Sequence, residues 1–449
     1  MNVVKFGGSS VANGNQIKKI GAIIQGEPER KFVVVSAPGK RYKNDLKMTD
    51  LLIETGELAF QNKRYTEKLD LVLDRFSEIV KELNISTTIL DDIKNSIQSI
   101  INSDDESRGL KMDALKSIGE DSCAKVVSEY LKTLGLNAHY VNPKDAGIIV
   151  SNEPGHAQIL PDSFSKLYGL RQREGIIVIP GFFGFTKNNR LITFSRGGSD
   201  ITGSLVAAGV KADLYENFTD VDSVYSVNPA IVENPREIKT LTYKEMRELS
   251  YAGFSVFHDE ALIPAFQQKI PVCIKNTNNP KASGTMIVAN KKPSKKCVVG
   301  IASDAGFSSL YVSKYLMNRE LGFGRKLLQI LEEESISFEH APSGIDDMSV
   351  IIRDTQLTAS KEEAIKNRIK KELQPDMIMF NRNLAMIMIV GEGIMSTVGI
   401  AQKATTALTD ANVNIEMINQ GSSDVSMMFG IQSEGLNRAI QSLYKVFFE

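Results

Sequence analysis

Lys5, Gly7, Gly8, Ser9 and Ser10 close a short apolar run, Val3-Val4-Lys5-Phe6-Gly7-Gly8-Ser9-Ser10. Adjacent glycines allow a tight turn and bring backbone N–H groups close to a ligand. The hydroxyls add hydrogen-bond donors, and lysine adds a compact positive charge suited to phosphate. The group reads as a phosphate cradle, although the Gly-x-x-x-x-Gly-Lys-Ser/Thr spacing of a P-loop is absent. A strand leading into two glycines is also a common turn with no ligand, so the reading depends on the rest of the chain.

Two further clusters bear on it. Ser195-Arg196-Gly197-Gly198-Ser199-Asp200 precedes the apolar run ITGSLVAAGV. A glycine turn that opens a helix aims N–H groups at an anion, and Arg196 adds a two-pronged donor for carboxylate or phosphate. Ser199 or Asp200 could serve as a plain helix cap. A cap needs no arginine beside two glycines, so the cluster reads as a ligand site. The third cluster is Phe218-Thr219-Asp220-Val221-Asp222-Ser223-Val224-Tyr225, followed by Asn228-Pro229. Its acids and hydroxyls suit a ribose or the water shell of Mg²⁺, and equally a solvated turn.

The elements that must position these groups alternate. Strands are predicted at Val3–Lys5 and Lys31–Val35 with an amphipathic helix over Gly14–Gln25 between them, which implies a parallel sheet covered by helices. Residues 45–135 read almost wholly as helix. Strand patterns return at Ala138–Val141, Gly147–Val150, Gly175–Ile179, Leu191–Phe194 and Pro271–Ile274, with a helix over Asp200–Val210. Ala212–Asn217 leads into the third cluster, and Asn290–Ser294 reads as a linker.

Beyond that linker the chain repeats. Gly322, Lys326, Leu331, Glu339, Gly344, Asp347 and Ser349 recur without a gap as Gly399, Lys403, Leu408, Glu416, Gly421, Asp424 and Ser426, each 77 positions on. Ile336 and Phe338 align with Val413 and Ile415. The pattern implies two β-α-β-β modules within residues 300–449, stacked copies of one unit.

Composition narrows the class. The 449 residues are 42 % hydrophobic and 24 % charged, with a formal net charge of −1. Nothing recruits nucleic acid through a global basic field, and no apolar run approaches the ~18 residues of a membrane span. The N-terminus carries no signal segment, and Cys123, Cys273 and Cys297 are far apart, so a cytoplasmic chain with reduced thiols is expected. Neither the cysteines nor His139, His156, His258 and His340 show metal-ligand spacing.

Taken in order, KFGGSS near residue 5, SRGGSD near 196 and TDVDSVY near 219 resemble the aspartokinases of the amino acid kinase superfamily. Val35-Ser36-Ala37, Ser117-Ile118-Gly119-Glu120 and Pro180-Gly181-Phe182 match as well, and the terminal repeats look like that family's paired ACT modules. The resemblance covers essentially the whole chain. It implies transfer of the γ-phosphoryl group of ATP to the side-chain carboxylate of L-aspartate, with Mg²⁺ as cofactor. Lys5, Gly7, Gly8 and Ser9 would then meet phosphate, and Thr219, Asp220 and Tyr225 the nucleotide. Ser36, Ala37, Thr49, Glu120, Phe182 and Arg196 through Gly197 and Gly198 to Ser199 would hold aspartate, with Arg196 on its α-carboxylate. Asp200 would order Lys5 or the metal. Lys5, Arg196 and Asp200 are the expected catalytic groups, with no metal held by a protein cage of its own. Aspartate's carboxylate is ionised at neutral pH, so no general base is required.

The resemblance also implies an effector site at Met317, Gly322, Phe323, Gly324, Glu339, His340, Ser343 and Gly344. Glu339 suits a cationic side chain, so lysine is the first expected effector and threonine the second. Expected too are a three-layer α/β/α sandwich over 1–290, one ferredoxin-like ACT module over 312–380, and a second from 295–311 and 381–449. A homodimer or homotetramer through the ACT modules follows, monofunctional because the chain stops after the second one. Two departures stand out: Ser255 replaces a phosphate-contacting lysine, and Ala230 an arginine of the nucleotide site. Lys40, Arg41 and Lys275 could supply the missing charge. His258 reads as a structural turn residue. The alternatives are a catalytically weak amino-acid sensor and a kinase of the same fold with another acceptor.

Overall fold

Val3, Val4, Phe6 and Phe32 to Val35 have no accessible surface. Strands with apolar residues on both faces belong inside a parallel sheet covered on each side. The computed structural model describes residues 1–103, 107–195, 197–254, 261–292, 297–394, 396–420 and 425–449. It divides into a first unit (Met1–Val224, Glu237–Met246 and Ser255–Lys292) and a second (Tyr225–Arg236, Arg247–Phe254 and Pro293–Glu449).

In the first unit, an eight-stranded sheet runs in the order Thr240–Thr242, Thr285–Val288, Val272–Asn276, Leu214–Thr219, Asn2–Phe6, Arg30–Val35, Ile176–Pro180, Ala138–Tyr140. Every pairing is parallel except that of Val272–Asn276 with Thr285–Val288. Val4, Phe6, Val33 and Val35 share one apolar core with Ile17, Leu52, Phe76, Ile97 and Val127. Those partners come from the helices Gly14–Gln25, Met48–Phe60, Thr66–Leu83, Thr88–Asn102 and Arg108–Thr133. Side chains alternate along a strand, so Lys5 points to the opposite face, where it meets the helix Gly198–Gly209 through Asp200. The result is the expected three-layer sandwich.

One strand expectation is corrected, and the expected strand at Leu191–Phe194 forms over Leu191–Thr193. Gly147–Val150 forms no strand: Pro143–Ala146 is a short helix ended by Gly147 in the left-handed conformation (φ 84°). Only single bridges then follow, Ile149 to Phe185 and Val150 to Ile159. Leu191–Thr193 lies outside the main sheet and pairs with Phe183–Phe185 in a two-stranded hairpin.

In the second unit a five-stranded antiparallel sheet runs Asp347–Arg353, Gly300–Ser313, Met377–Val390, Ser426–Gln432, Met417–Asn419. The repeat is visible in it. The strands Gly300–Ser313 and Met377–Val390, the helices Phe323–Glu333 and Ile400–Asp410, and the starts of the helices Ala359–Leu373 and Leu436–Phe448 are each 77 residues apart. Gly322 and Gly399 precede the first helix of each copy with φ 78° and 88°. The two 14-residue strands serve two cores. Leu310, Val312, Leu327, Val350 and Ile369 pack in one; Ile301, Ile387, Ala404, Phe429 and Ile440 pack in the other. At the changeover the register slips between Ala305 and Phe307, beside Gly306 (φ 88°) and opposite a chain that turns at Asn383 (φ 62°).

Candidate active site

The strands ending at Phe6, Val35, Pro180, Thr219 and Asn276 are parallel neighbours, so the turns that leave them gather at one sheet edge. Lys5 lies at this edge, 6 % exposed, with Nζ 2.6 Å from Asp200 Oδ1. Asn217, opposite Lys5 in the neighbouring strand, donates from Nδ2 to the same oxygen at 2.6 Å. Asp200 stands in the first turn of the helix Gly198–Gly209. That helix begins two residues earlier than expected: Gly197, left-handed at φ 76°, caps it without a side-chain bond, so neither Ser199 nor Asp200 is the cap. Both side chains are thereby left for other work.

The glycine turn is clamped from a second turn. Gly39 N–H donates to the Gly8 carbonyl at 2.9 Å. A Cβ on Gly39 would sit 2.6 Å from the Gly8 carbonyl carbon, so only glycine fits there. Gly39 is held by Arg75, 3 % exposed, whose Nη1 donates to the Gly39 carbonyl at 2.9 Å. Arg75 Nη2 donates to Asp45 Oδ1 and Oδ2 at 2.9 and 2.8 Å, and Arg41 Nε donates to Asp45 as well, at 3.0 Å. These guanidinium donors hold the Asp45 carboxyl well below the usual carboxylate range. The helices inserted after Val35 thus brace the glycine turn, a role the sequence analysis missed. A buried Arg is hard to recognise in a polar amphipathic helix. Removing Arg75 takes a guanidinium from buried Asp45 and a donor from the Gly39 carbonyl, leaving Asp45 to Arg41 alone, so Arg75→Met should destabilise the protein by about 3 kcal/mol, measured by denaturant unfolding. Unchanged stability would overturn that account.

Besides Gly197 to Ser199 at the start of Gly198–Gly209, the residues expected to hold aspartate fall on four segments. Ser36 and Ala37 follow the strand Arg30–Val35, and Thr49 is in the first turn of Met48–Phe60. Glu120 lies within Arg108–Thr133, and Phe182 follows Ile176–Pro180. Close contacts join them. A Cβ on Gly119 would come 2.7 Å from the Ala37 Cβ, and one on Gly181 2.7 Å from that of Ser199. One on Gly198 would come 2.6 Å from the Phe182 ring. Phe182 holds φ 76°, with its N–H donating to Thr202 Oγ1 at 3.1 Å. Glu120 is 5 % exposed and accepts from the Ala37 backbone, while its Oε2 has no hydrogen-bond partner among the described residues. Burial pushes this carboxyl up to about 8. An orphaned buried carboxylate oxygen is a place for a cation. Arg196 lies outside the described residues, as do Ser255 and His258.

On the nucleotide side, Thr219 Oγ1 donates to Asp220 Oδ1 at 3.1 Å, and Asp220 is exposed. Tyr225 belongs to the second unit. So does Ala230, whose N–H donates to Asn228 Oδ1 at 2.9 Å. Of the three cations considered for the missing charge, Arg41 is committed to Asp45 and Glu78, Lys40 is exposed, and Lys275 sits half-buried opposite Phe218.

In the second unit the expected effector residues gather at one sheet border. Met317 and Phe323 are buried in the module core, and Gly322 caps the helix Phe323–Glu333. Asn318 N–H donates to the Ile345 carbonyl at 3.1 Å, which brings this turn to Ser343 and Gly344. A Cβ on Gly324 would approach the Met348 sulfur at 3.6 Å, and Ser343 pairs with Met348. Further back along the same border segment, His340 pairs with Ile351. The Glu339 carboxylate accepts from Arg353 Nε at 3.0 Å and from the Tyr251 hydroxyl. Burial lowers the His340 pKa, and its Nδ1 stands 3.1 Å from Asn419 Nδ2.

The expected β-α-β-β order is corrected by a helix that closes each copy, Ala359–Leu373 and Leu436–Phe448; a parallel sandwich with a lysine–aspartate pair under a glycine turn, followed by two such repeats, is the frame of a small-molecule kinase with an appended pair of modules. The family model of the amino acid kinases matches residues 1–276, and that of the ACT domain matches residues 387–447. Aspartokinase 3 of Bacillus subtilis is 55 % identical over 448 residues, covering 100 % of this chain and 99 % of its own. The crystal structure of aspartate kinase from Clostridium acetobutylicum, described as an allosteric enzyme, superposes with a TM-score of 0.88 at 39 % identity, covering 100 % of both chains. Escherichia coli aspartokinase III, solved with aspartate and ADP, shares the fold at a TM-score of 0.81 and 24 % identity, again covering 100 % of both. The chain belongs to the amino acid kinase family and, within it, to the aspartokinases with C-terminal ACT domains.

Proposed function

We propose that this enzyme transfers the γ-phosphoryl group of ATP to the side-chain carboxylate of L-aspartate, giving 4-phospho-L-aspartate and ADP. This would be the first step toward lysine, threonine and methionine in the cytoplasm. One arrangement carries the reading: a buried Lys5–Asp200 pair at the strand edge, in the same unit as Glu120 with its orphaned oxygen. Lys5 with the N–H groups of Gly8 and Ser9 neutralises phosphate beside Gly7, whose own N–H donates to the Phe218 carbonyl, and Thr219, Asp220 and Tyr225 hold the nucleotide. Glu120 takes the ammonium of aspartate. Ser36, Ala37, Thr49, Phe182, Gly197, Gly198 and Ser199 shape its pocket, and Arg196 takes its α-carboxylate. Phosphoryl transfer needs mainly such positioning and charge neutralisation.

Asp200, beside Lys5, would help to hold Mg²⁺, which would supply charge neutralisation to the phosphates. Among the described residues no three His, Cys, Asp or Glu side chains converge on one point. The ion would be carried in by the nucleotide and held mostly by phosphate and water.

The domains are assigned as 1–290 for catalysis, 312–380 for the first ACT module, and 295–311 with 381–449 for the second; the two separate apolar cores support the pair. The ACT modules would join copies into a homodimer or homotetramer, a reading supported by exposed Leu321, Phe338 and Ile345. Lysine is the proposed effector, alone or with threonine, because Glu339 already binds a guanidinium. Glu339→Gln should raise the lysine concentration for half-inhibition by about tenfold, the value of one charged hydrogen bond.

The test is a coupled ADP-release assay with ATP, Mg²⁺ and aspartate, with and without lysine, and hydroxylamine to trap the acyl phosphate. Aspartate-dependent turnover suppressed by lysine is the expected result. Lysine binding without turnover would replace this reading with that of an amino-acid sensor.

A further inference from the structure

The strand Val272–Asn276 runs into Thr277, a residue that the reading above leaves without a role. Thr277 is 1 % exposed, yet its polar atoms reach two of the expected nucleotide-binding turns. Its Oγ1 lies 2.6 Å from the hydroxyl of Ser10, itself 1 % exposed, at the end of the glycine turn. Its N–H donates to the Thr219 carbonyl at 2.9 Å. A peptide is planar and trans, so holding the Thr219 carbonyl sets the Asp220 N–H in the opposite direction. The preceding residue acts on the same turn: Asn276 Nδ2 donates to Asp222 Oδ1 at 2.8 Å.

Nothing about packing demands this arrangement. A valine would fill the same space; what the threonine adds is one buried O–H···O bond with Ser10. Through these two bonds together Thr277 links the turn after the first strand to the turn after Leu214–Thr219, and so helps to set the separation between phosphate donors and nucleotide donors. We propose that Thr277 is a positioning residue for the nucleotide, acting through Ser10 and Thr219 without touching the ligand. This rests on the nucleotide assignment above.

ADP binding by calorimetry, together with steady-state kinetics, tests it on the full chain. Thr277→Val is expected to weaken ADP binding and raise the KM for ATP by about tenfold, the loss of one buried hydrogen bond. The KM for aspartate should stay within about twofold, and Thr277→Ser should restore nucleotide binding because it keeps the hydroxyl. Ser10→Ala should weaken ADP binding alike and add little to Thr277→Val in the double variant. Normal ADP binding by Thr277→Val overturns the proposal. So does a serine variant as weak as the valine one, or a KM for aspartate that rises in step with that for ATP. If the wild-type chain binds ADP but never turns over aspartate, the acceptor reading fails while the calorimetry still decides the role of Thr277.

Discussion

Lys5→Ala is expected to slow aspartate-dependent ADP release by at least ~100-fold, about 2.7 kcal/mol of transition-state stabilisation. The lysine is almost fully buried against Asp200, so in the proposed reaction its charge would already be fixed where phosphate charge develops and would need no reorganisation. The effect should fall mainly on kcat. Alanine also leaves Asp200 with Asn217 alone, an uncompensated carboxylate facing the phosphates. Turnover close to normal in the coupled assay would remove Lys5 from the chemistry.

Glu120→Gln is expected to raise the KM for aspartate by about 100-fold and to leave the KM for ATP nearly unchanged, since a buried carboxylate and an ammonium form a charge-assisted bond. The pKa supplies a second readout. In the ligand-free protein the Glu120 carboxyl sits at about 8, so it is mostly protonated at pH 7. An arriving ammonium favours the ionised form. Aspartate binding at pH 7 should therefore release a proton, seen as a dependence of the calorimetric heat on buffer ionisation enthalpy; the glutamine variant should show none. The folded pKa lies above the ordinary value of 4.5. The contribution of Glu120 to stability is thus fully present below 4.5 and lost as pH rises through 8. Ligand-free Glu120→Gln should accordingly melt higher than wild type at pH 9 and not at pH 4. Equal melting temperatures at pH 9 would show that the carboxyl is hydrated.

The sheet and the repeat were legible because both are written in local pattern. The largely β-branched apolar run Phe32–Val35 reads as a buried strand, and the 77-residue offset recurs in helices and strands alike. Gly147–Val150 failed because an apolar run of four carries no period, and Gly147 serves as the end of a helix. The glycine clusters announced the phosphate turn and the Gly198–Gly209 helix start, since glycine tolerates what other residues do not. What escaped were long-range partners. Nothing near Arg75 in sequence points to Gly39, and nothing near Thr277 points to Ser10, 267 residues away. Such pairs exist only once parallel strands have brought their ends together.

The two long strands have a consequence for synthesis. Gly300–Ser313 leaves the ribosome with one of its two neighbours, Met377–Val390, still some 64 residues from being made. Non-local pairings of this sort form late. The first unit needs nothing beyond Lys292, so its strand edge can assemble while the sheet of the second unit is still unmade. A nascent chain would therefore bring Lys5, Asp200 and Glu120 together before the five-stranded sheet is complete.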